Sequence, residues 1–309
     1  MLTLSADCPA PQRTAVAVGV FDGVHLGHRA VIRAAVENDR GLLPCVFTFA
    51  AASIPRKQDR PLSYLYEDAQ KQELLAQCGV EAICSPPFPD VAQLSGEAFA
   101  KRYLRELLQA ELVVCGADFR FGTGAACGIS ELRSFGEAYG FNVQVVAPVA
   151  AGDAPVSSQE IRARLQAGDT AGAAALLGAP YRMRQIVSHG NEVGRTLGFP
   201  TINQFFGEGQ CMPKRGVYAS MTQVGGCSCP SVTNIGLRPT VGDLERPIAE
   251  THILDWEGSL YGETITVELG RFIRPEREFG SLVELRAQLL ADSTLVRLEA
   301  TSHRNGKER

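Results

Sequence analysis

Two histidines, His25 and His28, close the run GVFDGVHLGHR at 19–29, which follows the apolar run TAVAV and precedes HRAVIRAAV with its helical spacing. The pattern reads as a strand, a loop and the start of a helix. Backbone N–H groups at a helix start attract anions, and glycines let the backbone come close to a phosphate. Imidazoles placed there can donate to oxygens as negative charge develops on them. His25 and His28 can then face one phosphate, which is the geometry of nucleotidyl transfer.

Two later runs could complete such a site: GADFRFG at 116–122, a loop directly after an apolar strand, and VSSQEIR at 156–162. In the second, Ser157 with Glu160 fits a capping box, a structural reason sufficient for both residues. Further along, GRTLGFPTIN at 194–203 separates Thr201 and Asn203 by one residue. If extended, both side chains point the same way and their oxygens could meet one ion. Pro200 fixes the backbone entering that turn, and Gly194 and Gly198 permit phosphate approach.

The elements that must position these groups fall into two patterns. Strand-like runs at 14–18, 45–49, 80–84, 111–116 and 142–148 alternate with helix-like segments near 66–78, 95–109 and 129–139. This predicts βαβ units, a parallel sheet and ligands at the carboxyl ends of its strands. After AGAAALLGAP at 171–180 the runs become short, β-rich and divided by Gly, Pro and Asn, with one helix from about Ser281 to Arg297. A small, nearly closed β-barrel with a C-terminal helix is expected. We place the domain boundary near Pro180, giving 1–180, 181–300 and a polar tail, 301–309, that should fray.

Composition bounds the partners. At 309 residues the chain suits two domains, and a net charge of −4 gives no electrostatic footprint for nucleic acid or an acidic membrane surface. The nine cysteines include no C-x-x-C pair and several lie in apolar runs, so reduced thiols acting as small hydrophobes are expected. Neither a leader-like start nor an apolar run long enough to span a bilayer is seen, so a cytoplasmic protein with small-molecule ligands is expected. A homo-oligomer stays open.

The string G-x-F-D-G-V-H-x-G-H at 19–28 resembles the adenylyltransferase half of the bacterial bifunctional riboflavin kinase/FAD synthetases. Aminoacyl-tRNA synthetases share only its short H-x-G-H part. The resemblance implies an N-terminal nucleotidyltransferase-type Rossmann-like domain. In it Gly19, Phe21, Asp22, Gly23 and Gly27 bind ATP, and His25 and His28 stabilise charge on the α-phosphate. VSSQEIR resembles the family's S-S-T-x-I-R, which assigns ATP phosphates to Ser157, Ser158 and Arg162. GADFRFG resembles G-x-D-F-R-F-G beside nucleotide and flavin, which brings in Asp118 and Arg120.

GRTLGFPTIN resembles the riboflavin kinase signature G-R-x-L-G-F-P-T-A-N, and NIGLRPTVG, ETHILDW, LYGETITV and FIRPEREF follow in family order. The resemblance covers almost the whole chain and implies a riboflavin-kinase barrel. There Gly194, Gly198, Thr201 and Asn203 hold ATP, with Mg²⁺ on Thr201 and Asn203. Glu250 is then the general base, and Asn234, Arg274 and Glu276 contact flavin. Phosphoryl transfer to an alcohol needs these parts: oxygen ligands for Mg²⁺, donors for phosphates and a carboxylate for the hydroxyl proton. The expected function is phosphorylation of riboflavin to FMN and adenylylation of FMN to FAD.

Two departures stand out: TFAAAS at 48–53 where the family has T-F-D-P-H-P, and Gln159 where it has Thr. Three alanines and a serine supply neither the restriction of two prolines nor the polar contacts of an acidic residue and a histidine, so a poorly organised loop and FAD synthesis weakened through FMN binding are expected. They also motivate an alternative, a kinase with a degenerate nucleotide-binding N-terminal domain. A flavin- or nucleotide-sensing binder without turnover is a rival of another class.

Overall fold

The computed structural model describes residues 1–54, 63–152, 154–190, 193–239 and 245–307. The chain divides into two compact units, Met1–Glu160 and Ile161–Arg309.

The first unit runs β1 (Leu2–Leu4), β2 (Thr14–Val18), α1 (Leu26–Val36), β3 (Leu43–Phe47), α2 (Asp68–Gln77), β4 (Ala82–Cys84), α3 (Phe88–Ala92), α4 (Gly96–Phe99), β5 (Ala110–Gly116), α5 (Ile129–Tyr139) and β6 (Asn142–Val146). A two-residue hairpin, β7 (Ala150–Ala151) and β8 (Ala154–Pro155), follows. Six strands form one sheet in the order β1-β4-β3-β2-β5-β6, every pairing parallel. TAVAV in β2 is buried at all five positions, as a central parallel strand covered on both faces requires. A π-helical stretch, Ala100–Leu107, continues α4. β1 was not foreseen: three residues carry no readable period, and only pairing with β4 defines the strand.

The strand order reverses at β2, with β3 on one side and β5 on the other. In such sheets ligands bind in the crevice at that switch point, beyond the carboxyl ends of the strands. Because the strands are parallel, the runs after β2, β3, β5 and β6 all leave this same edge. Those runs carry GVFDGVHLGH, TFAAAS, GADFRFG and VSSQEIR.

α6 (Ser158–Ala167) begins at the boundary between the units. The second unit continues with α7 (Thr170–Leu177), β9 (Tyr181–Ile186), α8 (Val193–Thr196), β10 (Ile202–Phe205), β11 (Gly216–Val224), β12 (Cys227–Pro239), β13 (Glu245–Ile253), β14 (Thr264–Arg274) and α9 (Leu282–Lys307). Its antiparallel sheet has the order β10-β13-β12-β11-β14-β9. A Ser188–Asn203 bridge, with Ser188 N–H donating to the Asn203 carbonyl at 2.8 Å, draws the two edges together into a nearly closed barrel.

The interior of this barrel is partly polar and internally paired. Ser220 meets Thr233 at 2.7 Å, Thr233 meets Thr251 at 2.9 Å, and Thr222 meets Ser231 at 2.6 Å. Buried hydroxyls are tolerated when they satisfy one another. α7 packs on β9 and β14, burying Leu176 and Leu177, and the Lys214 N–H donates to the Leu165 carbonyl of α6 at 2.9 Å. α9 outruns the expected end at Arg297: the segment from Thr301 continues as helix to Lys307.

All nine cysteines are free thiols, and Cys45, Cys84, Cys115 and Cys211 are buried. Burial pushes the Cys84 thiol up to about 12, which makes it inert packing.

Candidate active sites

In the first unit the turn between β2 and α1 is strained and tightly fixed. Phe21 (φ 52°), Gly23 (φ 86°) and Val24 (φ 44°) all occupy the left-handed region, rare for a β-branched residue. Phe21 and Val24 are buried, Arg29 Nε donates to the Val24 carbonyl at 3.0 Å, and the Asp22 carboxylate accepts the Leu65 N–H at 2.7 Å. Asp22 therefore shapes the loop through its side chain.

His25 is the N-cap of α1: its Nδ1 accepts the His28 N–H at 3.2 Å. An accepting Nδ1 places the ring proton of neutral His25 on Nε2, leaving that atom a donor. The two imidazoles stack with centroids 3.5 Å apart, and the Phe21 ring meets His28 edge-on at 5.2 Å. His28 Nδ1 is buried and unpartnered. Burial, then His25, then the Lys71 charge hold the His28 pKa well below the usual imidazole range. Neutral N–H donors thus stand at a helix N-terminus whose first turn carries no acidic residue, an arrangement that attracts phosphate.

The structure brings part of VSSQEIR to this place. Ser158 Oγ donates to the Asp22 carbonyl at 2.8 Å, and a side chain at Gly27 would press on the His25 ring and lie near the Val156 carbonyl. Ser157 Oγ accepts the Glu160 N–H at 3.2 Å, the capping role read from sequence. Gly19 approaches the Phe21 ring, and Arg162 lies on α6 within the second unit. After β5, Asp118 is exposed, whereas Arg120 donates to the carbonyls of Ala125 and Ala126 at 3.0 and 3.2 Å. Arg120 fixes its own loop in this structure.

The expectation of a poorly organised segment after β3 fails. Ala51–Ser53 forms a 3-10 turn held from several sides. The Asp68 carboxylate accepts the Ala51 N–H at 2.9 Å, Lys71 Nζ donates to the Phe49 carbonyl at 2.6 Å, and Ser53 Oγ donates to the Ala50 carbonyl at 2.7 Å and accepts the Phe88 N–H at 3.0 Å. Order supplied by prolines elsewhere is supplied here by contacts from α2 and α3.

In the second unit the candidate residues lie in one row across five strands. Glu250 of β13 pairs with Asn203 of β10 on one side and Asn234 of β12 on the other. Asn234 pairs with Val217 of β11, and Val217 with Arg274 of β14. Cross-strand partners share a face of the sheet. All five line a cavity of about 460 Å³ between the outer barrel face and α9. Gly194, Thr201 and Glu276 line it too; Gly198 does not. A side chain at Gly194 would strike the Phe199 backbone carbonyl, so that closure needs glycine.

Burial raises the Glu250 pKa, Arg238 pulls it down and Glu276 pushes it up. Asn203 is 4 % exposed, and its Oδ1 is buried without a hydrogen-bond partner. With Thr201 beside it, this orphan oxygen suits a hard cation that binds through oxygens.

Sequence reasoning missed His252, Arg238 and Asp292. His252 stands two residues beyond Glu250 on the same face of β13, a period-two signal available from sequence, and its Nδ1 lies 2.8 Å from the Pro200 carbonyl. Asp292 on α9 had no such signal: its carboxylate accepts from Arg274 Nη2 at 2.7 Å and from Nε at 3.1 and 3.2 Å. Arg274 thus ties α9 to the barrel. The two side chains are 18 % and 3 % exposed, so removing one charge strands the other. Asp292→Asn is expected to destabilise the second unit by roughly 3 kcal/mol, the low end for a buried pair, read as a lower Tm.

Two family models match, riboflavin kinase over residues 177–298 and FAD synthetase over residues 7–160. The chain is 36% identical over 294 residues to the bifunctional riboflavin kinase/FMN adenylyltransferase of Escherichia coli (strain K12), covering 93% of each chain. It is 35% identical to the protein of that name from Listeria monocytogenes, covering 90% of this chain and 89% of the other. It also resembles a crystal structure described as a macrolide-efflux protein from Streptococcus pneumoniae, with TM-score 0.83 and 29% identity over 96% of this chain and 99% of that one. Among the described residues no helix is long and apolar enough to cross a membrane. Two sites on two folds, matched along nearly the whole chain, make this protein a member of the bifunctional riboflavin kinase/FMN adenylyltransferase family.

Proposed function

We propose that the second unit phosphorylates riboflavin to FMN at the row Asn203–Glu250–Asn234, and that the first unit joins FMN to ATP at His25 and His28 to give FAD. The single observation that supports the kinase site best is that row: a base and its polar neighbours on adjacent strands, facing one cavity. Glu250 takes the proton of the riboflavin hydroxyl as the hydroxyl oxygen attacks the γ-phosphorus of ATP, the bond from that phosphorus to the β,γ-bridging oxygen breaks and ADP leaves. Burial raises the basicity of that carboxylate, which suits the task. Thr201 and Asn203 would hold Mg²⁺, which when bound neutralises phosphate charge. Gly194 lets the phosphates approach. Asn234 and Glu276 meet the flavin, while Arg274, held by Asp292, keeps α9 over it.

In the first unit an oxygen of the FMN phosphate attacks the α-phosphorus of ATP, a new P–O bond forms, and pyrophosphate leaves. His25, His28 and the N–H groups opening α1 donate to oxygens that gain negative charge. Gly19, Phe21, Asp22, Gly23 and Gly27 shape the ATP loop. Ser157, Ser158 and Arg162 serve the phosphates, and Asp118 and Arg120 the flavin side. The held turn at Ala51–Ser53 argues against weak FAD synthesis through a loose loop, while the polar contacts that an acidic residue and a histidine would give are still missing there. These reactions fit a cytoplasmic enzyme with ATP, riboflavin and FMN as its partners.

Incubation of the purified protein with riboflavin, Mg²⁺ and ATP should yield FMN first and FAD later, resolved by chromatography. FMN that accumulates without FAD would leave a kinase alone, and no turnover by a folded protein would leave a binder.

The working boundary is tested by two fragments. Residues 161–309 keep α7 and most of α6, whereas 181–309 lose the apolar cover of Leu176 and Leu177. Both are expected to phosphorylate riboflavin, the shorter with a Tm lower by several degrees.

A further inference from the structure

Lys71, which the chemistry above does not use, is 3 % exposed on α2. Its Nζ donates to the Phe49 carbonyl at 2.6 Å and lies 3.1 Å from Asp68 Oδ1. An ammonium has three donors, and among the described residues these two contacts are its hydrogen-bond and ion-pair partners. Asp68 in turn accepts the Ala51 N–H, so one ion pair, its lysine buried and its aspartate 35 % exposed, helps organise the turn that leaves β3. That turn stands at the carboxyl edge of the sheet, the edge that carries His25 and His28, and the Lys71 charge lowers the His28 pKa after burial and His25. Burying a flexible cation is costly, and a turn alone could be fixed by apolar packing.

We propose that Lys71 is a positioning residue for adenylyl transfer, its ammonium pinning the turn after β3 and setting a fixed positive charge at the sheet edge that carries His28. This rests on the assignment of His25 and His28 to that reaction. The charge has two consequences. It favours anionic phosphate at the start of α1, and it adds to burial and to His25 in keeping the His28 imidazole neutral, as an N–H donor. Among the described residues the groups that act on His28 are His25, stacked on it, and Lys71 from α2, with Asp68 behind Lys71. The Asp22 carboxylate is turned to Leu65 N–H.

The test uses the full chain with Lys71→Met, Lys71→Arg and Asp68→Asn. Four quantities are read: kcat and KM for FAD formation from FMN and ATP, the titration of the His28 imidazole by NMR, thermal unfolding of the first unit as its folding control, and FMN formation as a check that the other unit is untouched. Lys71→Met is expected to lower kcat for FAD formation about 10- to 100-fold and to move the His28 midpoint upward, while FMN formation is unchanged. Lys71→Arg should restore the midpoint and most of the rate. Asp68→Asn, which leaves the lysine charge uncompensated, should move the midpoint downward. Opposite movements are the signature of charge; loss of a structural prop gives none. A His28 midpoint unmoved by both changes, or moved the same way by both, overturns the proposal. Should Lys71→Met not fold, Asp68→Asn and Lys71→Arg decide alone: a downward shift in the first with a normal midpoint in the second supports it, and no shift overturns it. If His28→Gln keeps full FAD synthesis, the assignment of the site itself is wrong, whatever Lys71 does.

Discussion

Glu250→Gln is expected to lower kcat for FMN formation by about 10²- to 10⁴-fold, the usual contribution of a positioned general base. The loss corresponds to roughly 3–5 kcal/mol of transition-state stabilisation. The substitution keeps shape and hydrogen-bonding capacity, so the row from Asn203 to Arg274 should stay intact and KM for riboflavin should change little. FAD formation from added FMN should stay within about twofold, because that reaction is assigned to the other unit. Chromatographic rates from riboflavin and from FMN check both halves. Equal loss of the two activities would sink the separation of sites.

His28→Ala should produce the converse. Removing a donor aimed at developing negative charge costs about 10²- to 10³-fold in kcat, here in FAD formation, with phosphorylation of riboflavin preserved. A stability effect accompanies it. The folded state depresses the His28 pKa, through burial first and then through His25 and Lys71. The unfolded chain therefore takes up a proton, as pH falls through the ordinary imidazole value, that the folded chain refuses. Stability contributed by neutral His28 is thus complete above about pH 6.5 and declines below it. Thermal unfolding of the first unit should lose less between pH 7.5 and 5 in His28→Gln than in the parent chain. An identical pH response in both would show that His28 is not held neutral.

Much of this site chemistry was legible because it is local. His25 and His28 sit in one turn, Thr201 and Asn203 share a face by strand alternation, and Glu250 lies in a run whose neighbours match in order. The alternation of apolar runs with helical spacing predicted the parallel sheet, and short β-rich runs predicted the barrel; both formed. Such signals survive in a single sequence because backbone periodicity is set by nearest neighbours.

What the sequence could not supply depends on residues far apart in the chain. No spacing announces that Lys71 and Asp68 organise the turn at Ala51–Ser53, so three alanines read as a loop without order. Only the packing of α2 against the end of β3 brings a buried charge to that turn. Likewise, Arg274 reads as a ligand contact, yet its guanidinium is held by Asp292, a residue of α9 with no motif around it. The strand register that sets Asn203, Glu250 and Asn234 side by side is a third such case. Local sequence determined which residues could do chemistry and on which elements they stand. Tertiary structure decided which side chains are free to meet a ligand, because a charged group's partner is fixed by whatever the fold brings within a few ångströms once water is excluded.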